Sequence, residues 1–110
     1  MMANEKRQHP RAEITWPVTV ITHNGPVDGR TQNISLAGTL IRCPEVPDLD
    51  DNFRLVFKPA GRQMLLATGE MIWSDILLDD KYAFYAMGVR FTYVPEHDQH
   101  VLGEAVLEHT

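Results

Sequence analysis

The chain has 110 residues, a formal net charge of −5, 44% hydrophobic and 23% charged composition, and one cysteine. That length accommodates one core, and the composition excludes wholesale disorder. Lone Cys43 excludes an intramolecular disulfide framework and a multi-cysteine zinc site, and no apolar run approaches the ~20 residues of a membrane span.

In chain order, residues 1–12 are polar and read as a flexible N-terminal arm ahead of one domain over residues 13–110. The arm's basic residues have no apolar stretch behind them, so it is not a secretory signal peptide. The expectation is a cytoplasmic protein with no membrane insertion. From Ile14, residues Ile14, Trp16, Val18 and Val20 alternate with Glu13, Thr15, Pro17 and Thr19, the period of a β-strand. His23-Asn24-Gly25-Pro26 and Asp28-Gly29 are turn signals that place the start of the next strand near Arg30. Asn33 to Gly38 interrupts that strand, and Thr39–Cys43 resumes it. Residues 44–52, with two prolines and three aspartates, read as a surface loop.

Phe53, Leu55 and Phe57 alternate with polar neighbours in a further strand that ends at the Pro59-Ala60-Gly61-Arg62 turn. Gln63 to Trp73 reads as one strand bent at Gly69, Asp75 to Lys81 as an acidic loop, and Tyr82 to Tyr93 as the last extended segment. Pro95, Glu96 and Asp98 then suit the first turn of a helix over about residues 95–108. Its apolar residues Val101, Leu102, Ala105 and Val106 recur at helical spacing, a stripe suited to covering one end of the domain or to docking on a partner. The reading is mainly β, an antiparallel barrel or tightly packed sheet with a C-terminal helix.

Charge is divided unevenly. Lys6, Arg7, Arg11, Arg30 and Arg42 against Glu5, Glu13 and Asp28 leave residues 1–42 at +2, whereas residues 43–110 stand at −7. An acidic bulk argues against DNA or RNA as a partner, since polyanion affinity rests on many phosphate contacts. Nothing forms a catalytic motif: there is no G-x-S-x-G, Walker A or Rossmann fingerprint. Cys43, in an apolar strand, reads as a buried, inert thiol. His97, His100 and Glu104 share a spacing that metal ligands use, but they lie on the polar side of the helix without a second set of ligands. The chain reads as a binding protein with no metal and no cofactor of its own.

Two segments carry binding chemistry. Arg7 and Arg11 stand four residues apart before the first strand, and Pro10 biases His9 toward extended backbone. Two guanidiniums on such an arm can pair with phosphate oxygens or a guanine edge and stack on a base. Asn33-x-Ser35-x-x-Gly38 supplies an amide, a hydroxyl and a glycine that allows close backbone approach. These residues suit either a turn's own backbone or a purine edge.

Arg7-x-x-x-Arg11 followed by Asn33-x-Ser35-x-x-Gly38 resembles the PilZ domain family. The likeness continues through Gly69-Glu70-Met71-Ile72-Trp73, similar to that family's G-x-V-x-W strand, and Gly88-Val89-Arg90-Phe91, similar to its G-V-x-F strand. The resemblance implies a six-stranded antiparallel β-barrel that acts as a receptor for cyclic di-GMP. It implies that Arg7 and Arg11 contact phosphates and guanine, and that Asn33, Ser35 and Gly38 hold guanine against the barrel. Lys6 stands where many relatives have another arginine, and keeps the charge without the planar fork. Ala37 stands where a glycine is frequent. The implied function is a cyclic di-GMP receptor or adaptor whose arm orders on the ligand and which signals to an unidentified downstream protein, as a monomer or weak homodimer. The alternative is a PilZ-like protein-interaction scaffold that binds no nucleotide.

Overall fold

A computed structural model of the chain describes residues 10–110. Six strands and one helix follow in order: β1 (Pro17–Thr22), β2 (Gly25–Ile34), β3 (Gly38–Cys43), β4 (Phe53–Phe57), β5 (Leu65–Asp79), β6 (Tyr82–Tyr93) and α1 (Glu96–Glu108). All neighbours are antiparallel, and the order β1-β2-β3-β6-β5-β4 closes on itself through the β1–β4 pairing. Closure removes the unpaired edges that make small sheets aggregate. The expected six-stranded antiparallel barrel with a C-terminal helix is the fold observed.

Alternation directs the core. Val18 and Val20 of β1, Phe53, Leu55 and Phe57 of β4, Ile41 of β3, and Met87 and Val89 of β6 are buried inside the barrel. Each large apolar side chain so buried contributes roughly 1.5–3 kcal/mol. Phe57 anchors an aromatic cluster, meeting Trp16 edge-on at 6.4 Å and Phe91 at 6.0 Å between ring centroids. The helix covers the barrel with Leu102, Ala105 and Val106, the first of the two uses its spacing allows. Asp98 on the same helix is also buried, and its carboxylate accepts the backbone N–H of Leu66 at 2.8 Å. At the far end of the helix, Arg62 reaches Glu108 at 2.5 Å.

Two boundaries differ from the sequence reading. Strand β2 begins at Gly25 rather than near Arg30, because the turn is the two-residue His23-Asn24 tip, closed by Thr22 Oγ1 donating to the Gly25 carbonyl at 2.6 Å. Gly29 lies in paired strand, where an added Cβ would stand 2.7 Å from the Arg42 carbonyl oxygen. The expected acidic loop at Asp75–Lys81 is instead strand up to Asp79, paired with Tyr82. Its tip is Asp80-Lys81, with Asp80 at φ 50, a conformation aspartate tolerates in tight hairpins. Strand β5 is irregular near the expected bend, with register shifts at Thr68/Gly69 and Met71/Trp73.

Cys43 is buried in β3, and burial, with Glu45 adding repulsion, raises its pKa from 9.0 to about 11. A folded-state pKa above the unfolded value stabilises the fold fully below pH 9 and loses that contribution as pH rises toward about 11. Stability should therefore fall more steeply over that alkaline interval in the native chain than in Cys43→Ala. Paired urea titrations at pH 8 and 10.5 read the difference, and parallel losses would contradict a buried neutral thiol.

Candidate functional site

The segment preceding β1 is held against β2. Ala12 and Ile34 exchange backbone hydrogen bonds, N–H of Ala12 to the Ile34 carbonyl at 2.8 Å and the reverse at 2.9 Å. Farther along, Thr31 Oγ1 donates to the Ile14 carbonyl at 2.5 Å and accepts the Trp16 N–H at 2.8 Å. This clasp fixes exposed Arg11 at the mouth of a groove on the outside of the barrel. The groove has a volume of about 240 Å³, and its lining includes Arg11, Asn33, Gly38, Leu40, Trp73 and Arg90. Lys6 and Arg7 lie outside the described residues.

Register explains why these side chains meet. Asn33 pairs with Leu40, Leu40 with Gly88, and Gly88 with Trp73, so one row crosses β2, β3, β6 and β5. A register shift between Thr31 and Asn33 alters the alternation of β2 where Asn33 meets this row. Gly88 is the platform under the indole: a Cβ there would come within 2.3 Å of Trp73 Nε1. Gly38 lets β3 approach β6, since its Cβ would meet the Val89 carbonyl oxygen at 2.2 Å. The result is a shallow surface with an indole on one side and an asparagine and a guanidinium on the other.

Ser35 works differently from its neighbours. Its backbone N–H donates to the Gly38 carbonyl at 2.8 Å, while its Oγ accepts the N–H groups of Ala37 at 3.0 Å and Gly38 at 3.2 Å. The side chain is buried and braces its own turn, beside Gly38 and Asn33 in the groove lining. Asn33 has its carbonyl bound to Thr39 Oγ1 at 2.7 Å, and its partly exposed side chain lines the groove. On the rim, Arg90 Nε donates to Glu70 Oε1 at 2.9 Å, so this guanidinium is already paired.

The site expected from the sequence comprises Arg7, Arg11, Asn33, Ser35 and Gly38, with Lys6; of these Arg11, Asn33, Ser35 and Gly38 line this groove, and Lys6 and Arg7 fall outside the described residues. That expectation does not include Trp73, Gly88, Leu40, Ile72 or Arg90, which also line the groove. The available signal was the pairing of a tryptophan with a glycine on adjacent strands, which became visible only with the register. His97 and His100 are exposed, and no three metal-ligating side chains converge among the described residues.

A family model described as PilZ domain matches residues 5–108. The chain belongs to the PilZ domain family. Solved structures agree in fold. The PilZ domain of YcgR from Escherichia coli, solved with c-di-GMP, superposes with a TM-score of 0.76 at 12% identity, over 96% of this chain and 92% of that one. The K. pneumonia MrkH–c-di-GMP complex gives 0.78 at 16% identity, covering 94% of this chain and 52% of MrkH. Bacillus subtilis MotI (DgrA), an inhibitor of motility, gives 0.76 at 16% identity, covering 94% and 51%. This PilZ domain thus spans about half the length of MotI and MrkH. Among curated proteins, none matches it.

The two close approaches predict different costs. Gly38→Ala drives a methyl into backbone and should destabilise the PilZ domain by about 2–3 kcal/mol. Gly88→Ala meets a half-exposed indole that can swing away, so it should cost about 1 kcal/mol while shifting Trp73 fluorescence. Chemical denaturation with tryptophan emission separates the two. Equal costs would mean that the β3–β6 contact is not rigid.

Proposed function

We propose that this PilZ domain is a cyclic di-GMP receptor without catalysis of its own. The observation that carries the reading is the meeting of Arg11, Asn33, Gly38 and Trp73 in one groove, placed by strand register and by the Ala12–Ile34 clasp. Each supplies something a guanine nucleotide needs. Arg11 offers a planar fork for a phosphate or the guanine O6/N7 edge. Asn33 offers an amide to a purine edge, and Trp73 offers a π-face for stacking. Gly38 allows a base to lie against backbone. The YcgR and MrkH structures that share this fold contain c-di-GMP, which supports the same ligand here.

In this mechanism Arg7 and Lys6 supply the remaining phosphate contacts as the arm closes over the nucleotide, and Ser35 acts by holding its turn. The surface so formed is read by a downstream protein in the cytoplasm. A second reading, a scaffold that contacts protein without nucleotide, draws on the β5–β6 ribbon, where Ile76, Leu78 and Tyr82 are exposed.

Isothermal titration calorimetry with cyclic di-GMP decides between them. Saturable binding is expected for the full chain, with Arg11→Ala about ten- to a hundredfold weaker, the loss typical of a charge-assisted hydrogen bond. GTP should give no comparable heat. Trp73→Phe should remove most of any ligand-induced change in tryptophan emission, since the other tryptophan, Trp16, packs at the core. Absence of heat with cyclic di-GMP, together with an unchanged melting temperature, would favour the scaffold.

A further inference from the structure

A second groove lies on the same outer surface, with a volume of about 730 Å³ and no share in the row described above. Its lining includes Arg30, Arg42 and Lys58, three of the ten Lys and Arg residues of a chain whose net charge is −5. Register again explains the cluster. Arg42 of β3 pairs directly with Arg30 of β2, Arg30 pairs with Pro17 of β1, and Lys58 donates its backbone N–H to the Pro17 carbonyl at 2.9 Å. The three cations therefore form one line running across the strands. Like charges placed directly opposite in a sheet repel each other. Among the described residues, none of the three is in an ion pair. Asp28, the one carboxylate lining the groove, accepts a hydrogen bond from Thr19 Oγ1 at 2.8 Å.

We propose that this line of cations is a docking groove for an acidic peptide segment of a partner protein. Three features select that class. The cations are strung along a row instead of converging on a point, which suits a chain bearing several carboxylates better than one compact anion. Arg42 is seated 3.8 Å over the Phe84 ring centroid, so one guanidinium face is packed while its N–H fork stays open to a carboxylate. Pro17, Pro44 and Phe84 give the groove apolar walls for the side chains between acidic residues. A long phosphate polymer is disfavoured by the acidic remainder of the chain, whereas a short acidic segment meets only the local charge.

The inference does not depend on nucleotide binding, and its test omits nucleotide. The probe is a fluorescein-labelled octapeptide of alternating glutamate and leucine, titrated with the full chain by fluorescence anisotropy at low and physiological salt. Expected is saturable binding that weakens with salt. The double variant Arg30→Gln/Lys58→Gln should bind about tenfold more weakly or worse. Arg11→Ala should bind like the native chain. Because both replaced residues are exposed and Arg30 faces a like charge, the double variant should melt no lower than the native chain, which separates lost binding from lost folding. No binding of the peptide would overturn the proposal. So would equal binding by the double variant, or displacement of the peptide by an oligouridylate or pyrophosphate at lower concentration than by unlabelled peptide.

Discussion

The approach of β3 to β6 at Gly38 is the contact on which the rest of the outer surface depends. A Cβ at that position would lie 2.2 Å from the Val89 carbonyl oxygen, so backbone meets backbone with no side chain between. The contact sets β3 against β6 with Gly38 opposite Arg90 and Leu40 opposite Gly88. Strand β6 in turn pairs with β5 over most of its length, so one glycine helps fix the position of Trp73 two strands away. Gly88 then determines what the indole rests on. Substituting a larger residue at either glycine would alter the groove before it altered the core.

The Asn-x-Ser-x-x-Gly segment divides its work between structure and surface. Ser35 accepts two backbone N–H groups and closes the connection between β2 and β3, which leaves the Asn33 side chain and the Gly38 backbone to line the groove. A serine able to satisfy a turn and an asparagine able to read an edge look alike as polar residues. Their different roles follow from which atoms the turn consumes. In the proposed receptor the serine therefore supports the residues beside it as well as lining the groove.

Much of this was legible in the sequence. Alternation at Phe53, Leu55 and Phe57, and again at Val18 and Val20, marks strands with one buried face, and the structure buries those residues. The two differences have separate causes. Residues 71–78 of β5 are exposed, so the far part of the β5–β6 ribbon offers no buried face to impose a period of two, and Asp75 and Asp80 made it look like a loop. In β2, Gly25, Pro26, Asp28 and Gly29 resembled turn residues. Gly29 is there because β3 passes too closely for a side chain, a reason that belongs to tertiary packing. The sequence places Trp73 and Arg90 on strands but carries no register to bring them into one site.

Charge shows where structure and sequence each contribute to the proposed function. Two guanidiniums line the candidate groove, and they are not equivalent: Arg90 is tied to Glu70, while Arg11, among the described residues, is held through the backbone of its neighbour Ala12. A ligand with two phosphodiester charges must find its counter-charge against a chain of net charge −5. Among the described residues Arg11 is the one groove guanidinium without an ion pair, so the proposed receptor also draws on cations of the preceding residues, where Lys6 and Arg7 stand. In the proposed receptor, the indole, amide and glycine of the barrel serve a base, the preceding residues serve the phosphates, and the two halves meet at Arg11.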